Sequence, residues 1–321
     1  MTKLSNQQFF AVAGGVFSVV VSGAASAQVT ASPSGSPSYL EDTVATQLIS
    51  STSLQQMLTI SNAIGFRMGT SRLRPPGMAG SGQVFGMAAG SSADKWNAWG
   101  SYSANNNEYR NLGLDVDTAV VGGDYLAAPA LAIGISAAYD RSSGTLFGTT
   151  TTGYTVAPYL GWQINKDWVL DATIGWGKGD ASFGAANVKP DRLFYGTNLS
   201  YTTWSGNWQF SGKGSYLYGE EKYNSTLVTT KNKIDEVRLG GQAAYWMNGI
   251  MPYIGATYIS DNQSSLTAGT NDLGNDAWLW SVGANFISLR NNLTGGIAYS
   301  SESGRSNSKR NSLMLNINYR F

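Results

Sequence analysis

Connections of two lengths alternate along the C-terminal two-thirds of this chain, and that rule constrains its fold more than any single motif. The tight ones fall at 127–129, 165–167, 205–207, 248–249 and 290–292. Between them lie longer ones at 105–115, 141–152, 181–191, 221–233, 261–276 and 302–310. They separate segments of about ten residues each: 95–104, 116–126, 130–140, 153–164, 168–180, 192–204, 208–220, 234–247, 250–260, 277–289, 293–301 and 311–321. A two-sheet sandwich has no reason to sort its connections this way. A barrel with short turns at one rim and long loops at the other does.

The segments carry the matching side-chain pattern. Trp168, Leu170, Ala172, Ile174 and Trp176 form one apolar row, interleaved with Val169, Asp171, Thr173, Gly175 and Gly177. Period two gives a strand one greasy face and one small or polar face. The two indoles are separated by roughly 27 Å of strand, which at barrel tilt approaches the ~25 Å apolar band between aromatic girdles. Trp168, Trp176, Trp208 and Trp278 are the girdle candidates. Leu313, Leu315, Ile317, Tyr319 and Phe321 close the chain on the same alternation. In 250–260 the pattern does not say which face is outward. The expected fold is all-β, a transmembrane antiparallel up-and-down barrel of about twelve strands.

Ahead of it the chain changes character. Lys3, the apolar stretch 9–21 and the small residues Ala25 and Ala27 before Gln28 read as a signal peptide over 1–27. Residues 28–92 form a short N-terminal segment. Within it, apolar residues at three- and four-residue spacing predict a helix over 39–68, and Pro75-Pro76-Gly77 marks a linker after it. Only 28–38 stands between the cleavage point and that helix, so little or no passenger is expected. The barrel occupies 93–321.

Composition removes many chemistries. The sequence has no His and no Cys, so a Ser–His–Asp triad lacks its base and thiolate or imidazole metal sites cannot form. Charged residues make up 13% with a net charge of +1, which offers no footprint for nucleic acid. The acidic pairs Glu220-Glu221 and Asp235-Glu236 read as solvated surface rather than as a glycosidase pair. No catalytic residue, metal ligand or cofactor is expected, and the chain does not read as an enzyme.

Trp96-Asn97-Ala98-Trp99-Gly100-Ser101-Tyr102, then Val120-Val121-Gly122-Gly123-Asp124-Tyr125, then Ile133-Gly134-Ile135 resembles the opening of an autotransporter translocator domain. Tyr159-Leu160-Gly161-Trp162, Trp168-Val169-Leu170-Asp171 and the closing Tyr319-Arg320-Phe321 continue it. The resemblance spans 95–321. It implies a twelve-stranded barrel of type V secretion in a Gram-negative outer membrane, with the N-terminal helix in its pore. Lumen-facing Asp124, Asp171, Lys213, Arg238 and Arg320 become candidates for contact with that helix. Leu315, Ile317, Tyr319 and Phe321 become the signal read by the barrel-assembly machinery. The partners implied are membrane lipid and lipopolysaccharide, with the barrel a monomer. Two other readings stay open: a porin-like channel, and a binding barrel acting through its long loops.

Overall fold

The computed structural model describes residues 57–68, 95–109, 112–144, 150–183, 186–224, 229–265, 275–288, 292–306 and 308–321. The signal segment with Ala25, Ala27 and Gln28, the first part of the predicted helix and the 69–92 linker lie outside them. Twelve strands follow in order: β1 (Trp96–Tyr109), β2 (Leu112–Ala128), β3 (Leu131–Gly144), β4 (Thr150–Gln163), β5 (Trp168–Phe183) and β6 (Ala186–Ser205) come first. The second half is β7 (Trp208–Asn224), β8 (Thr229–Tyr245), β9 (Ile250–Ser265), β10 (Asp276–Ser288), β11 (Leu293–Ser303) and β12 (Ser308–Arg320). Each pairs antiparallel with its sequence neighbours, and β1 pairs with β12, so the sheet is a closed barrel. Residues 57–68 form a helix, α1.

Closure is made by the two ends of the sheet. Asn97 faces Arg320 and Tyr109 faces Ser308 along the β1–β12 ladder. One step beyond, the Phe321 N–H donates to the Trp96 carbonyl at 3.0 Å, and the Trp96 N–H donates back to Phe321 at 3.2 Å. Phe321 therefore completes the last rung of the seam. Its ring stacks on Tyr319, 6.0 Å between centroids.

The short connections owe their tightness to residues that tolerate positive φ. Asn248 (46°) and Gly249 (100°) supply the left-handed pair of a two-residue hairpin turn between β8 and β9. At the other rim the strands run past their predicted limits. The segment predicted over 192–204 is β6, Ala186–Ser205, and that predicted over 234–247 is β8, Thr229–Tyr245. Beyond the apolar band the outer face turns polar. Hydropathy alternation then disappears although the hydrogen-bond ladder continues.

Outward residues along the band are exposed and apolar, among them Ile133, Ile135, Leu239, Ile254, Trp280 and Val282. A closed barrel that presents such a surface is built for lipid rather than water. The ambiguous 250–260 segment resolves here: Met251 and Ile259 are buried inward, while Ile250, Ile254 and Tyr258 face out. At the short-turn rim three cross-strand ring pairs form the girdle: Trp96–Tyr125, Trp168–Tyr201 and Trp208–Tyr245, each about 5 Å apart. Trp176, Tyr258, Trp278 and Trp280 are exposed toward the other rim.

Candidate functional site

The lumen is occupied by α1, and the packing is one-sided. Met57, Leu58, Ile60, Ala63, Ile64 and Met68 form one buried core with Trp99, Val120, Ala157, Tyr159, Phe194, Leu217 and Ile234 of the barrel wall. Large inward rings fit because glycines stand opposite them. A Cβ on Gly122 would lie 2.4 Å from the Trp99 ring, and one on Gly134 would lie 2.3 Å from Tyr159. Gly175 makes the same room for Phe194, and Gly161 for the sulfur of Met68.

A buried ion pair fixes the helix lengthwise. Arg67 donates to Asp124 from Nη2 at 2.7 Å and from Nε at 3.0 Å. Asn97 and Tyr159 donate to the same carboxylate at 3.2 and 2.9 Å, and Trp99 Nε1 donates to the Tyr159 hydroxyl at 2.7 Å. A buried carboxylate is costly unless its lone pairs are met. Here they are met by four donors, two from the helix and two from the wall. Two wall residues, Asn198 and Lys213, add ties nearer the start of the helix. Asn198 Nδ2 donates to Ser61 Oγ at 3.2 Å and to Asp171 at 2.5 Å, while Lys213 Nζ reaches Asn62 Oδ1 at 3.5 Å.

These contacts set the direction of the helix. Met57 packs at Gly219, toward the long-loop rim, and Met68 packs at Gly161, close to a short turn. The chain enters α1 from the long-loop end and leaves it near the start of β1. Twelve helical residues rise roughly 18 Å, most of the height of the apolar band.

The opposite wall is different. Between Asn62, Gly65 and Phe66 of α1 and strands β6–β12 lies a cavity of about 300 Å³. Hydroxyl and amide side chains such as Thr202, Gln242, Thr257, Ser281 and Ser300 line it, and the charged residues among its lining are Lys213 and Arg238. Arg238 is drawn to Glu236 on its own strand rather than to the helix. Arg320 lies on the inward side of β12, where its N–H donates to the Asn292 carbonyl at 3.1 Å.

Toward the long-loop rim the lumen carries two buried ion clusters. Arg192 joins Asp140 and Glu221, both at 2.9 Å. Across the barrel Arg305 reaches in from the β11–β12 connection to Asp261 and Glu302, and Arg310 holds the second oxygen of Glu302 at 3.2 Å. The acidic pairs are therefore not solvated surface throughout. Glu220 and Asp235 face out, whereas Glu221 and Glu236 are 2% and 1% exposed in the lumen. Adjacent residues in a strand point to opposite faces, so each pair is split by the wall.

The candidates Asp124, Asp171 and Lys213 thus cluster about α1, Arg238 turns to its own strand, and Arg320 is the cross-strand partner of Asn97, which donates to Asp124. Sequence reasoning missed Arg67, Trp99 and Tyr159. A signal was present: Gly122 and Gly134 occupy inward positions directly beside an inward Trp and Tyr on the paired strands.

No protein-family model matches the sequence, and no curated protein is similar to it. Solved structures do resemble the fold. The translocator domain of autotransporter NalP from Neisseria meningitidis aligns with a TM-score of 0.59 at 14% identity, over 71% of this chain and 89% of that one. The fold is that of an autotransporter translocator domain. The β domain of the Bordetella autotransporter BrkA gives 0.58 at 15% identity, over 71% of this chain and 100% of that one. An outer membrane channel from Pseudomonas putida F1 gives 0.54 at 13% identity, over 72% and 97%.

Proposed function

We propose that this chain is an integral outer-membrane translocator of autotransporter type, without enzymatic activity. In this reading it is exported by cleavage at Ala27/Gln28. Its Leu315, Ile317, Tyr319 and Phe321 are then read by the barrel-assembly machinery, and it works as a monomer in a Gram-negative outer membrane. The observation that supports it best is the threaded helix, entering from the long-loop rim and fastened near the short turns by Arg67 and Asp124. Long loops face the cell exterior in such barrels, so the chain ahead of α1 is held on the outside. The barrel's work is to place and keep it there.

An epitope inserted within 28–38 tests this directly. Labelling on intact cells is the expected result; labelling only after permeabilisation would sink the proposal. Deleting Phe321 removes the final seam rung, and a fall in heat-modifiable barrel in outer-membrane fractions is expected. A second reading, conduction of small solutes, is favoured by the polar cavity beside α1. It predicts a small conductance in planar bilayers that grows when Arg67→Ala loosens the helix.

A further inference from the structure

The outer surface just beyond the long-loop girdle is electrically lopsided. On β7 and β8, Glu220 accepts from Lys231 at 2.6 Å and from Lys222 at 3.4 Å. The residue directly opposite Glu220 in the ladder is a third lysine, Lys233. Lys222 and Lys231 are themselves direct cross-strand partners, an arrangement of like charges that costs stability unless an anion is shared between them. Glu220 thus bonds two of the three lysines, and the next outward carboxylate on β8, Asp235, accepts from the Tyr216 hydroxyl at 2.8 Å. On the neighbouring strand Asp191 faces Lys222 and lies 4.0 Å from Lys178, with both side chains more than half exposed.

The other side of the same rim has no such surplus among the described residues. Asp117 is taken by the Tyr102 hydroxyl at 2.9 Å, Asp276 by Tyr258 at 2.7 Å and Asp115 by Asn106 at 2.8 Å. Lys309 stands opposite Glu108. Beneath the lysines, toward the apolar band, Tyr195 and Tyr218 stack at 4.8 Å and present ring surface outward.

We propose that the outer face of β5–β8 is a docking site for a phosphorylated lipid of the outer leaflet. Its headgroup phosphate would lie among Lys222, Lys231 and Lys233, and its acyl chains along Tyr195 and Tyr218. Glu220 already bridges Lys222 and Lys231, so a phosphate oxygen would meet Lys233 together with the remaining N–H groups of that pair, and charge-assisted N–H···O bonds are the strong kind. The tyrosine rings place the apolar part of the same molecule against the band. A free phosphate would use the first half of this surface and ignore the second. The proposal rests on the outer-membrane reading, which fixes the leaflet.

The test uses the full barrel folded into phosphatidylcholine vesicles doped with a diphosphorylated glycolipid, with phosphatidylglycerol, or with neither. Lipid retained after mild detergent extraction is measured by native mass spectrometry. The wild type should retain the glycolipid, and the triple variant K222Q/K231Q/K233Q should retain at least roughly tenfold less, given up to about fivefold per cation near an anionic headgroup. K309Q on the opposite side should match the wild type. Equal retention by the triple variant, equal loss in K309Q, or full displacement by inorganic phosphate would each overturn the site. Heat-modifiability of the wild type reports separately whether the chain is a membrane barrel at all. Should the triple variant not fold, K222Q and K233Q alone carry the measurement.

Discussion

The inner walls of β1–β5 and β9–β12 share one barrel yet are built on opposite principles, with β6–β8 contributing to both. The first is a protein core: rings seated over glycines, methionine and isoleucine from α1, and one carboxylate met by four donors. The second is a wall of hydroxyls and amides around the cavity, with the cations Lys213 and Arg238 on the strands between. The contrast shows that the helix does not fill the lumen evenly. It is welded to one side and leaves a cavity of about 300 Å³ on the other. Holding the helix and lining a polar space beside it thus fall largely to different strands.

The sharpest way to break the contrast is to unweld the first wall. Arg67→Ala strands Asp124 in a dry site, and breaking a buried pair costs about 3–5 kcal/mol. Urea or thermal unfolding of the folded barrel should fall by that order, and bilayer conductance should rise toward an open pore. A barrel whose conductance is unaltered in R67A would mean the pair does not hold the helix. Next comes the seating of the rings. Gly134→Ala forces the Tyr159 ring off its bed, and overpacking costs about 1–3 kcal/mol. Gly214→Ala, where nothing lies within 4 Å, should stay within about 0.5 kcal/mol; equal losses at both positions would remove the packing distinction.

A smaller effect concerns the ion cluster at the rim of the second wall. Glu302 is held by Arg305 and Arg310. Glu302→Gln replaces charge-assisted bonds with neutral ones, a difference of about 1 kcal/mol, and should lower the unfolding midpoint slightly; an unchanged midpoint would mean the cluster does not brace this rim. The smallest expected stability change is Ser300→Trp, which fills the cavity. It should lower the residual conductance of the plugged barrel while leaving its unfolding midpoint nearly where it was.

Much of the barrel was legible because lipid imposes period two with little tolerance. Trp168 to Trp176 and the alternation of short and long connections carry strand number, topology and the outward face. Strand length was not legible, since β6 and β8 continue where their outer residues are already polar. The site was legible only in part. Asp124 and Lys213 stand out as charges on an inward face, but whether such a charge meets the helix or its own strand, as Arg238 meets Glu236, depends on which side the helix takes. That choice is written in the glycines facing Trp99, Tyr159 and Phe194, a pairing between strands that no single segment displays.

The seam also has a kinetic meaning. Ser101 bonds to the Leu315 carbonyl across 214 positions of sequence, while every other ladder joins neighbours in the chain. Contacts so remote are slow to find. A nearly finished cylinder therefore waits with β1 and β12 as raw edges, and raw edges recruit foreign strands. The last zip of assembly is the moment of greatest exposure to misassociation, and a short aromatic tail that locks onto Trp96 shortens it.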